Sequence, residues 1–142
     1  IARATIQLNR LPGCEIAAHI GHEDFIISHT FTHNEKILVT STGGTINGEF
    51  QPLIFFWDAL TGKQLSTLTL KDTAAMDLAF SPDDSILVSA GSGLILWDPQ
   101  TGKELRMLAP IDQRYTSVAF SPDGYSLAAA DETGIHLFAI KP

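Results

Sequence analysis

The chain has 142 residues, 44% of them hydrophobic and 18% charged, which is enough apolar content to bury a core and too little charge for a disordered chain. A formal net charge of -7 argues against a nucleic-acid binder, which needs a clustered Lys/Arg surface, and against an anionic membrane surface. Nowhere do about 18 apolar residues run together, so no helical membrane span is expected, and the single cysteine, Cys14, excludes an internal disulfide.

The chain starts on Ile1-Ala2-Arg3-Ala4, without an initiator Met and without a charged-then-apolar signal pattern. It therefore reads as the interior of a longer chain, with the cytoplasm as the default expectation. Strands are expected over 5–8 and 15–19, because Gly13-Cys14-Glu15-Ile16 matches the later Gly102-Lys103-Glu104-Leu105. Next come Gly21-His22, the turn Phe31-Thr32-His33-Asn34, and an apolar run at Ile37-Leu38-Val39. The stretch 42–52 follows, with the two-residue hairpin signal Asn47-Gly48 inside it. A strand then ends at Trp57-Asp58, and Thr61-Gly62-Lys63 turns the chain.

Residues 75–108 give the clearest unit. Alternation over 75–80 predicts a strand, and Ser81-Pro82-Asp83-Asp84 breaks it with strong turn chemistry. Ile86-Leu87-Val88 suits a strand buried on both faces. Gly91-Ser92-Gly93 turns the chain into a third strand over 94–97, and a more polar fourth strand over 104–108 suits a sheet edge. Turn residues recur too often for helices. The last unit repeats the pattern with Phe120-Ser121-Pro122-Asp123, strands over 127–130 and 135–138, and Phe138-Ala139 in the Trp-Asp place.

Three unlike motifs share one spacing. Trp-Asp at 57 and 97, Thr-Gly-Lys at 61 and 101, and Phe-Ser-Pro-Asp at 80 and 120 each recur after 40 residues. Such a period marks an array of one structural unit. The copy at 31–39 sits at an offset of 49 from its counterpart at 80–88, so the additional nine residues fall in 42–52. Counted this way the chain holds two, four, four and three strands.

Gly21-His22, a strand, Phe-Ser-Pro-Asp-Gly and Trp-Asp in that order resemble the WD40 repeat, over nearly the whole chain. The resemblance implies an all-β fold of four-stranded antiparallel β-propeller blades, forming an incomplete ring in this chain. A partial blade is expected at 1–20, whole blades at 21–69 and 70–109, and a partial blade at 110–142. The implied structural motif is Gly21, His22, Ser41, Trp57 and Asp58 in the first whole blade, and Trp97 and Asp98 in the second. Lys71 and Ile111 stand in the His place of the later copies, and Gly91-Ser92-Gly93 stands where the family has a turn aspartate. The family's partner-contact positions fall on Phe25, Ala74 and Arg114, and three residues further on at Ser28, Asp77 and Ser117, with Tyr115 adjacent. Ile46 and Phe50 of the insertion would be exposed apolar contacts on the same face as the Gly-His loop.

No catalytic constellation emerges. Thr61-Gly62-Lys63 lacks the preceding glycine and the helix of a phosphate loop, and it recurs as a repeat turn. His19, His22, His29 and His33 lie close in sequence, but a strand of roughly 20 Å separates His22 from His33. The paired acids Asp83-Asp84 and Asp131-Glu132 fall in turns. The reading is therefore a non-catalytic protein-interaction scaffold with no cofactor and no metal. Its partners would be other proteins or the remaining blades of one propeller, or further copies of the chain completing the ring. The alternatives are a propeller domain within an enzyme and a self-assembling structural fragment.

Overall fold

Turn residues cut this chain into short strands, and the strands pair with their sequence neighbours. The computed structural model describes residues 4–10, 15–71 and 74–140, and its regular elements are all strands. Strands β1 (Ala4–Arg10) and β2 (Glu15–His22) pair antiparallel, with a bulge at Leu8/Asn9. The predicted strands 5–8 and 15–19 are present and longer, so that Gly21 and His22 end β2 opposite Thr5 and Ala4. The next elements are β3 (Ile26–Phe31), β4 (Ile37–Thr42), β5 (Thr45–Ile46), β6 (Glu49–Phe50), β7 (Leu53–Asp58) and β8 (Gln64–Thr69). They form a four-stranded sheet in the order β3-β4-β7-β8, and the insertion makes its own small hairpin of β5 and β6. Asn47 and Gly48 turn that hairpin with φ of 54° and 82°, the left-handed pair that a tight hairpin turn requires.

Strands β9 (Asp77–Phe80), β10 (Leu87–Trp97) and β11 (Glu104–Arg114) make the next sheet, and β12 (Ser117–Phe120), β13 (Ser126–Asp131) and β14 (Gly134–Ala139) the last. Where two strands and a turn are expected, β10 runs through unbroken. Its first half pairs with β9 through 87–90, and its second half pairs with β11 through 94–97. The Trp97 indole N–H donates to Ser89 Oγ at 2.9 Å, although eight residues of straight strand would span about 26 Å. The strand therefore bends sharply at Gly91-Ser92-Gly93, bringing Trp97 back beside Ser89, within a sheet of order β11-β10-β9. Gly93 makes this possible: its φ is +84°, and a Cβ there would lie 2.7 Å from the Ala109 carbonyl oxygen on β11.

The turn after each first strand is built three times from the same parts. Thr32, Ser81 and Ser121 donate their hydroxyls to Asn34, Asp83 and Asp123, and each hydroxyl oxygen accepts the N–H that starts the next strand, at Ile37, Ile86 and Ser126. The following position is left-handed in every copy: Glu35, Asp84 and Gly124 have φ of 62°, 60° and 76°.

Strand alternation then sets the packing. Along β7, Ile54 and Phe56 face forward into a core shared with Leu78, Phe80 and Leu87 of the next sheet, while Trp57 faces backward onto Ile20 and Leu38. The next interface repeats this, with Val88, Leu94 and Leu96 packed against Tyr115, Val118 and Leu127. On the last sheet, Ile135 and Leu137 are 75% and 78% exposed. They stand in the register of Leu94 and Leu96, which the following sheet buries.

Candidate interaction face

Thr40 lies in mid-strand on β4, paired with Phe55, and its side chain shares a face with Leu38 and Trp57. The Trp57 indole donates to Thr40 Oγ1 at 3.0 Å, and Thr40 Oγ1 lies 3.1 Å from His22 Nε2. The hydroxyl oxygen accepts the indole N–H, and the direction of its bond with His22 Nε2 follows the tautomer of the ring. All three side chains are buried, and burial lowers the His22 pKa, which keeps the ring neutral. Ser41, placed by the resemblance in one structural motif with His22 and Trp57, bonds to neither of them. Adjacent strand residues face opposite ways, so Ser41 points to the other side of the sheet, where its Oγ donates to the Ala75 carbonyl at 2.9 Å and accepts the Ser28 N–H at 3.2 Å. Ser89 holds the Thr40 position in the second sheet and receives the Trp97 indole.

Asp58 and Asp98 build turns. Asp58 Oδ1 accepts the N–H groups of Leu60 and Thr61 and the Thr61 hydroxyl, and Asp98 does the same for Gln100 and Thr101. These bonds, led by those from Thr61 and Thr101, lower both carboxyl pKa values. The Thr-Gly-Lys motif is thus a capped turn, with Gly62 and Gly102 at φ of 70° and 69°.

At the other end of β7, the segment after β2 meets the insertion. Gly44 lies against Asp24 so closely that a Cβ on it would overlap the Asp24 carboxylate. Between them opens a cleft of about 370 Å³, lined among others by Glu23, Asp24, Gln51, Leu53, Phe55 and Trp57. His22 meets Phe55 and Trp57 edge-on at ring distances of 4.9 and 5.0 Å, and Phe55 stacks on Trp57 at 5.6 Å. Phe25 and Phe50 are 77% and 53% exposed. Of Ile46 only the backbone is described, paired with Glu49 in the insertion hairpin.

The other candidate contact residues separate into two groups. Ser28, Asp77 and Ser117 form a row across three first strands: Asp77 Oδ1 accepts the Ser28 hydroxyl and the Leu78 N–H, and Oδ2 accepts the Ser117 hydroxyl and the Val118 N–H. This carboxylate joins three sheets, so Ser28 and Asp77 are tied to each other before any partner arrives. Arg114 is exposed and lies 3.9 Å from Met76 Sδ. Tyr115 is corrected from surface anchor to core: it is 1% exposed, its ring is edge-on to His136 and Phe138, and the preceding Arg114 takes the outward direction.

Sequence reasoning missed one further link between sheets. Asp84 accepts the His33 N–H at 2.7 Å, the His33 Nδ1 at 2.9 Å and the Asn34 N–H at 3.0 Å. The partners lie about fifty residues apart, and no local pattern announces the contact. Among the described residues no three His, Cys, Asp or Glu side chains gather as metal ligands. Cys14 lies outside the described residues, and the His19 side chain is not described.

Comparison with known proteins agrees with this geometry. The family model "WD domain, G-beta repeat" matches residues 62–98, from the Gly62 turn to Asp98. Residues 62–98 are a WD40 repeat. The neighbouring sheets, built on the same period and turns, are antiparallel and consistent with WD40 blades. A Dictyostelium discoideum protein, "Superkiller complex protein 8", is 36% identical over 74 residues, which is 52% of this chain. The match covers only 23% of that relative's length.

Proposed function

We propose that this chain is a non-catalytic platform for protein contact, working through the face that carries Phe25, Phe50 and the cleft beside Trp57. The observation that carries the reading is two exposed aromatic side chains, Phe25 and Phe50, each next in sequence to a residue, Asp24 or Gln51, that lines an aromatic-walled cleft. Aromatic anchors of this kind dominate the energetics of protein interfaces. The acids support the non-catalytic part. Asp58, Asp83, Asp84, Asp98, Asp123 and Asp131 all have lowered pKa values, held by turn hydroxyls and N–H groups, whereas a general acid at neutral pH needs a raised one. The WD40 relative is named for a complex, which is consistent with this class of role. The uncovered Ile135 and Leu137 favour a second contact, with another blade packing where the repeat places one.

The test is site-specific photo-crosslinking. A benzophenone amino acid at position 25 or 50 should yield a defined protein adduct in cells that make the protein, and one at Leu60, exposed at the opposite end of β7, should not. Absence of adducts at both 25 and 50 would overturn the assignment of the face.

A further inference from the structure

We propose that the cleft beside Trp57 receives a lysine or arginine side chain from the protein partner. The inference rests on the preceding assignment of this face to protein contact and adds the chemistry of what enters it.

Three observations carry it. The cleft is two-sided in character. Leu53, Phe55 and Trp57 give it an apolar and aromatic side, and Glu23 and Asp24 add carboxylates to its lining. The apolar side suits an aliphatic stem and the carboxylates suit a cationic head, as long basic side chains provide. The carboxylates are also available. Among the described residues, neither Glu23 nor Asp24 makes an ion pair or a hydrogen bond, and no Lys or Arg lines the cleft. His22, held neutral by burial, adds no opposing charge.

The third observation is internal. The next repeat has the same cleft at the same place, about 150 Å³ in volume, lined by Ile95, Trp97 and Glu104. There the chain brings its own cation: Lys71 occupies the position of His22 and lines the cleft. Among the described residues, the first cleft keeps the tryptophan, is larger, has Glu23 and Asp24 in its lining and lacks the lysine. Aromatic faces attract cations, and in a partly closed cleft the two carboxylates act in the same direction. A metal ion is a poor occupant, because an apolar wall offers it no ligands.

The experiment uses the full chain and capped pentapeptides Gly-Ser-X-Ser-Gly, with X as lysine, arginine, norleucine or glutamate. Binding is read from the two indole N–H resonances in ¹H–¹⁵N spectra. The lysine and arginine peptides should shift the Trp57 indole and leave that of Trp97 in place. The norleucine and glutamate peptides should bind at least about tenfold more weakly, and the E23Q/D24N double variant should lose about tenfold in lysine-peptide affinity. E132Q, outside the cleft, should bind as the parent does, and unchanged spectra elsewhere in E23Q/D24N would show that its fold is intact. Equal binding of lysine and norleucine peptides, or no shift at Trp57 with any peptide, would overturn the proposal. If crosslinks form at 25 and 50 while the peptides fail, the basic-residue inference falls and the contact face stands. If the crosslinks fail, the face itself falls.

Discussion

Replacing Thr40 by valine keeps the shape of the side chain and removes the hydroxyl on which two buried rings depend. The Trp57 N–H would lose its acceptor at 3.0 Å, and His22 Nε2 would lose its hydrogen-bond partner at 3.1 Å. A buried polar atom left without a partner costs about 1–3 kcal/mol, and His22 borders the cleft, where water offers partial relief. The expected total is about 2–4 kcal/mol. Thr40→Ser makes the opposite change, keeping the hydroxyl and deleting a buried methyl, at about 1 kcal/mol. Urea unfolding of the full chain, followed by tryptophan fluorescence, separates the two. With a slope of about 2 kcal/mol per molar urea, the midpoint should fall by about 1–2 M for T40V and about 0.5 M for T40S. If packing alone holds this site, the order reverses, because valine fills the space that serine leaves. A T40V midpoint equal to or above that of T40S would refute the hydrogen-bonded account.

The same site predicts a pH response. The folded-state pKa of His22 lies below its ordinary value of 6.5, so its contribution is fully present above 6.5 and declines as pH falls from there through the lowered value. In H22F that part of the stability–pH curve should flatten. Asp77→Asn leaves one oxygen to serve two pairs of donors and should cost about 1–2 kcal/mol, more than S28A or S117A alone, as urea midpoints will show. At Asp84, alanine loses the bonds to His33 and Asn34 and keeps an unfavourable φ of 60°, while glycine loses the same bonds without that strain. D84A should therefore melt below D84G, and both below the parent. The Asp83 carboxyl should titrate by NMR at about 2, since the Ser81 and Ser85 hydroxyls and the Ser85 N–H stabilise its charge, and S81A should move it back toward 3.8. Its contribution to stability is present above 3.8 and is lost as pH falls through about 2.

How much of this was legible in the sequence depended on whether the information was local. The turns were legible because their chemistry is confined to five or six residues. Ser81, Asp83 and Ile86 close one loop among themselves, and 121–126 repeats it. The insertion hairpin was legible from Asn47-Gly48 alone. The turn at Gly91-Ser92-Gly93 was legible, but the strand geometry that continues through it was not, because it depends on how closely the Gly93 backbone approaches Ala109 and Pro110 on another strand. The Asp84 contact with His33 depends on the spacing between sheets, to which a local pattern carries no reference.

The exchange of Thr40 for Ser41 is different, because the signal was present. The offset of 49 that aligns Ile37-Leu38-Val39 with Ile86-Leu87-Val88 also aligns Thr40 with Ser89, two hydroxyls at the same place, whereas Ser41 aligns with Ala90. Facing direction gives the same result, since Leu38 pairs with Trp57 and only even-numbered neighbours on β4 share that face. Tyr115 follows the same logic: its equivalent one period earlier is Ala75, also buried. Repeat alignment thus decides which residues face inward, and the residues that differ at inward positions carry the individuality of each blade. At the cleft itself the difference is His22, buried, against Lys71, exposed. It changes a cleft that contains its own cation into one that awaits a cation from outside.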